Sequence, residues 1–597
     1  MVKKRIIQVL VLVLIVFVSG CDKSIKKNEN KVIVTGNVSS SHYKEIRLSN
    51  KPIPIENEWS VANDTSGIAA TIDKGGNFRF EIEVDKSSFH RITLGDKTVQ
   101  LYLNPNDSIS VTLDSVIGIN GSNAHLNNYF LHQKEELDKS ERYIHKNLAS
   151  IYALDEIEFS NQLDSLKESN IAHCRTFISN FENVPPEFEE RCMASINYLY
   201  KYYQLLYPSG HEIITSKKAH LPANYFDEMS DGLNKFQFLN NKKYIIYLDK
   251  YVEVMSAGDL KERRYDNLPI EKIRTRYHTI KNLSASEEIK DYLFEQHFVL
   301  CNTNYSSKNW KGILNDFEKD SKNKKLISKI KNQYQKSNDL RKKPNEIKTY
   351  KIVDGIELDA HVFYPKEHQK RNHSRPAYLY FHGGGWSLGM AESGYSICKR
   401  MSEKGMVAIS FEYRLIDVYG NDIQKSLEDA KSAIRWVRSQ ASLLGVNSDK
   451  IVATGFSAGA HLAASTAIID DFFSEDNKDF SSKPNLVITQ SSSYDLTKGD
   501  GWFDGVSRGQ ATSISLLQNV KTGLPPFLSF HTTEDYLAPV YEFFQFKAAM
   551  KAHKNDFQFQ VFEGVGHFFR DKDAQEKLNN LRYEYLVARG YIADVTD

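Results

Sequence analysis

Cysteine is scarce in this chain and is never paired at close spacing. Only 5 of the 597 residues are cysteine, and no C-x-x-C pair or Cys/His cluster has the spacing of metal ligands. This absence argues against a cysteine-bound zinc site and against disulfide exchange as the activity. The cysteines beyond the N-terminus are typical of buried packing residues: Cys174, Cys192, Cys301 and Cys398.

The chain also lacks an excess of one charge. Lys and Arg together number 77, against 76 Asp and Glu. Such a balance provides no basic field that would attract a phosphate backbone, so we expect no nucleic-acid partner. The hydrophobic content of 41% is ordinary for globular protein, and the length exceeds what one core usually holds, so we expect several folded domains.

A long apolar run stands at the N-terminus. Residues 6–18 are almost wholly apolar, follow the basic residues 3–5, and precede Ser19, Gly20 and Cys21. This pattern predicts an export signal that is too short to span a bilayer. The stretch from residue 18 to Cys21 resembles the lipobox of bacterial lipoproteins, where cleavage leaves the cysteine as a lipid-modified N-terminus.

That resemblance implies a lipoprotein-type signal peptide over residues 1–21 and lipidation at Cys21. The polar residues 22–31 would then form a tether. We therefore expect an exported protein that is anchored to a membrane, facing the periplasm or the cell surface. A plain secretory peptide is the alternative.

Short β-type patterns follow, and residues 32–118 are predicted to form an antiparallel β-sandwich. Runs of alternating β-formers such as 78–84 and 109–113 are separated by turn sequences such as Gly75-Gly76-Asn77. The stretches "GGNFRFEIEV" and "LYLNPNDSISVTL" resemble an N-terminal domain of lipoproteins from Bacteroidetes-type bacteria.

The middle of the chain has a helical pattern. Gly and Pro are sparse over residues 119–335, and apolar residues recur every three or four positions. Residues 336–348 are polar and basic and contain Pro344, which predicts a linker.

Strand-like and helix-like segments then alternate over residues 349–597. This alternation predicts an α/β domain with a mostly parallel sheet and helices on both faces. Open sheets of this kind bind ligands at the carboxyl ends of their strands. The fold class is therefore multidomain: a β-sandwich, a helical region and a C-terminal α/β domain.

The sequence "GFSAG" at residues 455–459 lies between a strand-like and a helix-like run. In a nucleophile elbow, a serine occupies a strained strand-to-helix turn, and the flanking glycines allow close approach of neighbouring backbone. Ser457 is the candidate nucleophile.

A second glycine-rich motif, "HGGGW" at residues 382–386, directly follows another strand-like run. Consecutive glycines can present backbone N–H groups to a developing oxyanion. We assign Gly384 and Gly385 to an oxyanion hole, together with the N–H of Ala458, which follows the nucleophile.

The acid and the base are predicted from chain order, because such sites run Ser, acid, His. Asp535 and His567 each come shortly after a strand-like segment, so both are expected beyond strand ends, beside the elbow. Alternatives are Glu534 and Asp504 for the acid and His461 for the base; His531 is expected to be structural.

Residues 349–597 resemble the α/β-hydrolases of the hormone-sensitive-lipase type, in particular bacterial carbohydrate and feruloyl esterases. The resemblance rests on "YFHGGGWSLG", "FEYRL", "FHTTEDYLAP", "VFEGVGHFF" and the segment around "GFSAG". It implies a Ser-His-Asp carboxylesterase without a metal or cofactor, acting on acetyl or feruloyl esters of polysaccharides. Trp386 and Trp502 are candidate substrate contacts at the rim.

Two other functions remain open from the sequence. One is a serine peptidase of the prolyl-oligopeptidase type, which has the same order of catalytic residues. The other is a surface lipoprotein that binds glycan or a partner through its first domains, with the hydrolase secondary.

Overall fold

The computed structural model describes residues 30–39, 43–50, 67–94, 97–113, 117–261, 268–353, 356–369, 374–416, 422–472, 474–498, 508–535, 537–569 and 571–593. The predicted signal peptide, Cys21, Trp502 and Asp504 lie outside these ranges. The chain divides into two compact units, Met1–Lys250 and Tyr251–Asp597.

The first unit begins with eight strands. They are β1 Lys31–Asn37, β2 Glu45–Ser49, β3 Ile68–Thr71, β4 Asn77–Glu83, β5 Ser88–Leu94, β6 Lys97–Leu103, β7 Ser108–Leu113 and β8 Ile117–Gly121. They form two four-stranded sheets, in the orders β4-β1-β7-β8 and β3-β2-β5-β6. Side chains from both sheets form one buried apolar cluster, to which Val34, Phe80 and Leu101 contribute.

The predicted antiparallel arrangement needs one correction. All strand pairs in these two sheets are antiparallel except β1 with β7, which is parallel. A parallel pair requires a long connection, and the chain supplies it because β2 to β6 lie between the two strands.

Five helices follow, and a sixth crosses the boundary between the units. They are α1 Ala124–Lys146, α2 Leu148–Tyr152, α3 Glu156–Ser179, α4 Pro186–Thr215, α5 Tyr225–Ser230 and α6 Lys242–Lys261, with a 3-10 turn at Phe236–Phe238. Helix α1 contacts one edge strand of each sheet. Asn127 forms two hydrogen bonds to the backbone of Tyr102 in β6, and Asn128 forms two to Ile119 in β8.

The second unit continues with four helices: α7 Leu268–Asn282, α8 Glu287–Asn304, α9 Ser307–Asp320 and α10 Lys324–Arg341. Much of the predicted linker at 336–348 is therefore regular structure, since α10 continues to Arg341 and the next strand begins at Glu346. The charged residues at the end of α10 favoured a linker and did not indicate that the helix continues to Arg341. The helix persists because Tyr334 is buried and Leu340 packs against the core of the sheet domain.

The remaining strands form one eight-stranded mixed sheet. They are β9 Glu346–Val353, β10 Ile356–Phe363, β11 Arg375–Phe381, β12 Val407–Phe411, β13 Val446–Phe456, β14 Leu486–Gln490, β15 Phe527–Glu534 and β16 Phe557–Gly566. Their order is β16-β15-β14-β13-β11-β12-β10-β9. The six strands from β16 to β12 are mutually parallel, and β10 and β9 continue the sheet in antiparallel pairs. The predicted mostly parallel sheet is thus present.

Helices connect these strands, and one more follows the last strand. They are α11 Tyr395–Glu403, α12 Ile423–Ser439, α13 Ala441–Leu444, α14 Ala458–Ile468, α15 Arg508–Ile514, α16 Val540–Ala552 and α17 Lys572–Ala588, with 3-10 turns at Ala391–Gly394, Leu496–Lys498 and Leu517–Asn519. Because parallel strands end at the same side of a sheet, the loops after β11, β13, β15 and β16 share one rim. Among the described residues, no helix is both long and apolar enough to cross a membrane.

Candidate active site

Ser457 is the single residue between strand β13 and helix α14. Its backbone has φ 53° and ψ −122°, a conformation that L-residues rarely adopt, and its side chain is partly exposed. Its N–H donates to the carbonyl of Gln490 in β14, and its carbonyl accepts from Ala460 and His461. These bonds hold the strained turn, as a nucleophile elbow requires.

The glycines on either side of Ser457 leave room that a side chain would fill. A Cβ atom at Gly459 would lie 2.1 Å from the carbonyl oxygen of Phe381 and 2.4 Å from that of His382. A Cβ atom at Gly455 would lie 2.3 Å from the Gly459 backbone. The helix can therefore start close to the end of β11 only because both positions are glycine.

Three of the predicted residues meet at the rim. His567 Nε2 lies 3.0 Å from Ser457 Oγ, and His567 Nδ1 lies 2.8 Å and 2.7 Å from the two carboxylate oxygens of Asp535. Since a carboxylate only accepts, Nδ1 carries the proton and Nε2 is free to accept from the serine hydroxyl. The hydroxyl, the imidazole and the carboxylate thus form a continuous hydrogen-bonded chain.

Backbone donors fix the position of the carboxylate. Asp535 Oδ1 accepts hydrogen bonds from the N–H groups of Leu537, at 3.0 Å, and Ala538, at 2.7 Å. Asp535 and His567 are both buried, with 2% of the His567 residue exposed. Burial away from water strengthens the charge-assisted bond between them.

The glycine loop, residues 382–389, adopts backbone conformations that few residues tolerate. Gly384 has φ 127°, Gly385 has φ 58° and Trp386 has φ 59°. A Cβ atom at Gly383 would lie 2.7 Å from the ring of Phe456, the residue before Ser457. Within the described part of the chain, the N–H groups of Gly384 and Gly385 donate to no acceptor. They are available to a developing oxyanion.

His382, at the start of the glycine loop, is fixed by Tyr413. The two rings stack at 4.2 Å and 18°, and the Tyr413 hydroxyl donates to the His382 carbonyl at 2.8 Å. Burial lowers the pKa of His382 to about 4, so the ring is neutral at ordinary pH. His382 therefore supports the loop.

The side chains of the alternative acids and bases that the structure describes form no hydrogen bond to Ser457 or His567. His461 is buried, its Nε2 donates to the carbonyl of Ile514 at 2.8 Å, and burial lowers its pKa to about 4. His531 likewise donates to the carbonyl of Ala538, at 2.8 Å. Glu534 is exposed on β15.

The predicted rim contact at Trp386 is not observed. Only 4% of this residue is exposed, and its ring packs edge-on against His461 at 5.1 Å. Trp386 is therefore a packing residue beneath the surface. Trp502, the other predicted contact, lies outside the described residues.

Two aromatic residues beside the site were not predicted as contacts. Phe456 and Phe568 directly precede Ser457 and follow His567, respectively, and both are partly exposed. Their rings lie 6.0 Å apart, and each is 5.0 Å from the His567 ring. Because these phenylalanines are adjacent in sequence to Ser457 and His567, their positions could have indicated them as contacts.

One group of side chains in the second unit has metal-ligand geometry. Potential ligand atoms of Asp359, His361 and Glu412 lie within 4.8 Å of one another. However, Arg341 and Lys308 already supply positive charge to this group, with Arg341 at 2.5 Å from Asp359 and 3.0 Å from Glu412. The arrangement therefore suits a protein cation better than a metal ion.

A family model and several known proteins match the C-terminal part of the chain. The BD-FAE family model matches residues 361–550. The apo form of Thermogutta terrifontis esterase 2, a solved structure, has 34% sequence identity and a TM-score of 0.39, covering 42% of this chain and 96% of that one.

Curated relatives match the same part. Endo-1,4-beta-xylanase B of Butyrivibrio fibrisolvens is 29% identical over 203 residues, or 32% of this chain and 31% of that protein. Esterase LipC of Mycobacterium tuberculosis is 25% identical over 221 residues, or 32% of this chain and 53% of that protein. The chain thus spans about a third of the xylanase and about half of LipC. Residues 361–550 therefore match the BD-FAE family model, and the two curated relatives that match the same part of the chain are named as a xylanase and an esterase.

Proposed function

We propose that the protein is a serine carboxylic-ester hydrolase that acts through an acyl-enzyme, with Ser457, His567 and Asp535 as its catalytic residues. The observation that carries the proposal is the 3.0 Å contact between His567 Nε2 and Ser457 Oγ, with Asp535 on the other ring nitrogen. The family match supports the same reaction class.

In the first step, Ser457 Oγ attacks the ester carbonyl carbon while His567 Nε2 takes the hydroxyl proton. The carbonyl oxygen becomes an oxyanion, and Asp535 stabilises the imidazolium. When the tetrahedral intermediate collapses, the bond to the alkoxy group breaks, and His567 returns the proton to the departing alcohol. Ser457 then carries the acyl group as an ester.

In the second step, water replaces the alcohol. His567 takes a proton from the water as its oxygen attacks the acyl carbon, then gives the proton to Ser457 Oγ as that bond breaks. The carboxylic acid leaves, and the serine hydroxyl is restored. In both steps the oxyanion would accept hydrogen bonds from the N–H groups of Gly384, Gly385 and Ala458.

For substrate, we propose acetyl or feruloyl esters carried by polysaccharides. A relative named for action on xylan supports this choice. The Phe456 and Phe568 rings beside the nucleophile suit an aromatic acyl group or the face of a sugar ring. Anchoring through a lipid on Cys21, outside the cytoplasm, belongs to the same proposal and rests on the sequence of the first 21 residues.

Replacement of the nucleophile tests the reaction. Ser457→Ala should lower p-nitrophenyl acetate turnover at least about 10⁴-fold and abolish labelling by a fluorophosphonate, because no nucleophile remains. Ser439→Ala is the matched control, since its hydroxyl donates to the carbonyl of Trp436 on its own helix and accepts a long bond, 3.4 Å, from the neighbouring Gln440. Near-wild-type turnover by Ser457→Ala would remove this serine from the mechanism.

A substrate panel tests the second part of the proposal. Turnover of acetylated xylan and methyl ferulate should exceed that of a long-chain triglyceride and of a prolyl-peptide amide. A clear preference for the triglyceride or for the amide would contradict the proposed substrate class.

A further inference from the structure

The helical segment before the sheet domain ends in an arginine that is largely buried. Arg341 is the last residue of α10, and 12% of its side chain is exposed. Its Nη2 lies 2.5 Å from Asp359, and its Nη1 lies 3.0 Å from Glu412 and 3.5 Å from Glu392. One guanidinium therefore contacts three carboxylates.

Two of these carboxylates lie on the two flanks of the glycine loop. Glu392 belongs to the 3-10 turn Ala391–Gly394, which is separated from the loop by one residue, Met390. Glu412 immediately precedes Tyr413, whose hydroxyl and ring hold His382 at the start of the loop. The contacts of Arg341 thus reach both the entry and the exit of the segment that carries Gly384 and Gly385.

The charges in this cluster depend on the arginine. Burial raises the pKa of Glu392, whereas for Glu412 burial is outweighed by His361 and Arg341, which lower its pKa to about 2. Lys308, the other nearby cation, contacts Asp359 and Glu357 and is 42% exposed. Without Arg341, the buried Glu392 and the partly buried Glu412 would both lose their arginine partner, which is a costly arrangement.

We propose that Arg341 is a positioning residue for the oxyanion hole: by bonding Glu392 and Glu412 together, it sets the distance between the two ends of the glycine loop. The inference rests on the proposed function, because it concerns donors to the same oxyanion. It makes the last turn of α10 part of the catalytic apparatus, although that turn precedes the sheet domain in the chain.

The test compares full-length variants by turnover per active site. Arg341→Ala and Arg341→Lys are assayed with p-nitrophenyl acetate, and fluorophosphonate titration of Ser457 counts the competent sites. The matched control is Lys342→Ala, at the residue after the end of α10, whose exposed side chain pairs with Asp339 in α10. The variants should still fold, because the Ser410 hydroxyl continues to bond the Ala391 carbonyl at 2.6 Å.

For Arg341→Ala we expect kcat per titrated site to fall about 10- to 100-fold with KM changed less than about threefold, since small displacements of catalytic groups cost this much. Methylguanidine should restore part of the lost kcat, and methylammonium at the same concentration should not. Arg341→Lys should lie between the wild type and Arg341→Ala, because a single ammonium nitrogen keeps the charge but lacks the two separate terminal nitrogens that contact Asp359 and Glu412.

Two results would overturn the inference. One is wild-type kcat per titrated site in Arg341→Ala and Arg341→Lys, even if both unfold at lower temperature. The other is a loss of kcat in Lys342→Ala equal to that in Arg341→Ala. Failure of the proposed function appears separately, as activity retained by Ser457→Ala.

Discussion

At the residue scale, the close contact between two backbones explains much of the site. The start of α14 and the end of β11 approach so closely that Gly459 faces the carbonyls of Phe381 and His382. The backbone that follows Ser457 and the start of the glycine loop are therefore coupled by contact: a change in one backbone must move the other.

This coupling predicts the effect of a single methyl group. Gly459→Ala should lower the free energy of unfolding by about 1–3 kcal/mol or more, because the new Cβ atom would overlap two backbone oxygens. Esterase turnover should fall about 100-fold, because Ser457 and the glycine loop would separate. Thermal unfolding and p-nitrophenyl acetate assays measure both effects.

The control for this substitution is Gly312, which lies on the exposed side of α9. A Cβ atom there would meet nothing within 4 Å. Gly312→Ala should therefore leave activity unchanged and add about 0.5–1 kcal/mol of stability. Equal behaviour of the two alanine variants would rule out the contact as the cause.

The buried His461 predicts how stability depends on pH. Burial lowers the pKa of His461 from 6.5 to about 4, so between these values the unfolded chain binds a proton that the folded chain does not. Stability is then lost as the pH falls through this window, by up to about 3 kcal/mol from this residue.

Substitution by glutamine should remove this contribution. Urea unfolding of His461→Gln should show a smaller loss of stability between pH 7 and pH 4.5 than the wild type does. The exposed His553, at the end of α16, gives the control variant His553→Gln. An unchanged pH dependence in His461→Gln would show that other groups control acid unfolding.

At the element scale, helix α1 protects the edges of two sheets with two consecutive asparagines. Asn127 accepts from the N–H of Tyr102 at 2.6 Å and donates to its carbonyl at 3.1 Å, on edge strand β6. Asn128 pairs with Ile119 of edge strand β8 in the same way, at 3.2 Å and 2.6 Å. Each side chain thus replaces part of a missing neighbouring strand.

Removal of the first asparagine should expose its strand. Asn127→Leu leaves a buried N–H and a buried carbonyl without partners, so the first unit should lose about 2–4 kcal/mol of stability. Hydrogen exchange should accelerate over residues 97–103, as measured by mass spectrometry. Asn120→Ala, at an exposed position of β8, should leave exchange over residues 97–103 unchanged.

At the scale of the whole molecule, the sequence predicted features that depend on neighbouring residues better than features that depend on contacts between distant residues. The strained turn at Ser457 and the close approach at Gly459 are properties of a few neighbouring residues, so "GFSAG" could indicate them. Chain order pointed to Asp535 and His567, and the structure brings both side chains together with Ser457 because the strand ends share a rim. The prediction that Trp386 contacts substrate at the rim was wrong, because its ring is buried against His461 of α14. No neighbouring residue in the sequence indicates this packing.

The role of α10 had no local signal. Arg341 lies in a charged stretch that favoured a linker, and its carboxylate partners are 18 to 71 residues away in sequence. Ion pairs over such distances depend on the fold, so a single sequence does not reveal them.

The division of the chain into two units predicts which fragment is active. The residues proposed for catalysis, together with Arg341, belong to Tyr251–Asp597. A fragment of residues 242–597, which begins at the first residue of α6, should keep kcat within about threefold of the full chain. A fragment of residues 345–597 should lose at least about tenfold, because it lacks Arg341 and Lys308. Equal activity of the two fragments would contradict a catalytic contribution from α9 and α10.

The parallel pair of β1 and β7 bears on how the first unit is made. Strand β1 lies inside its sheet, between β4 and β7, although it is the earliest of the described strands. Strand β1 can pair on both sides only after the chain has been synthesised through residue 113, the end of β7. Until β7 pairs with it, one side of β1 has free backbone groups that can pair with other chains, so a folding intermediate that lacks β7 should be prone to aggregate.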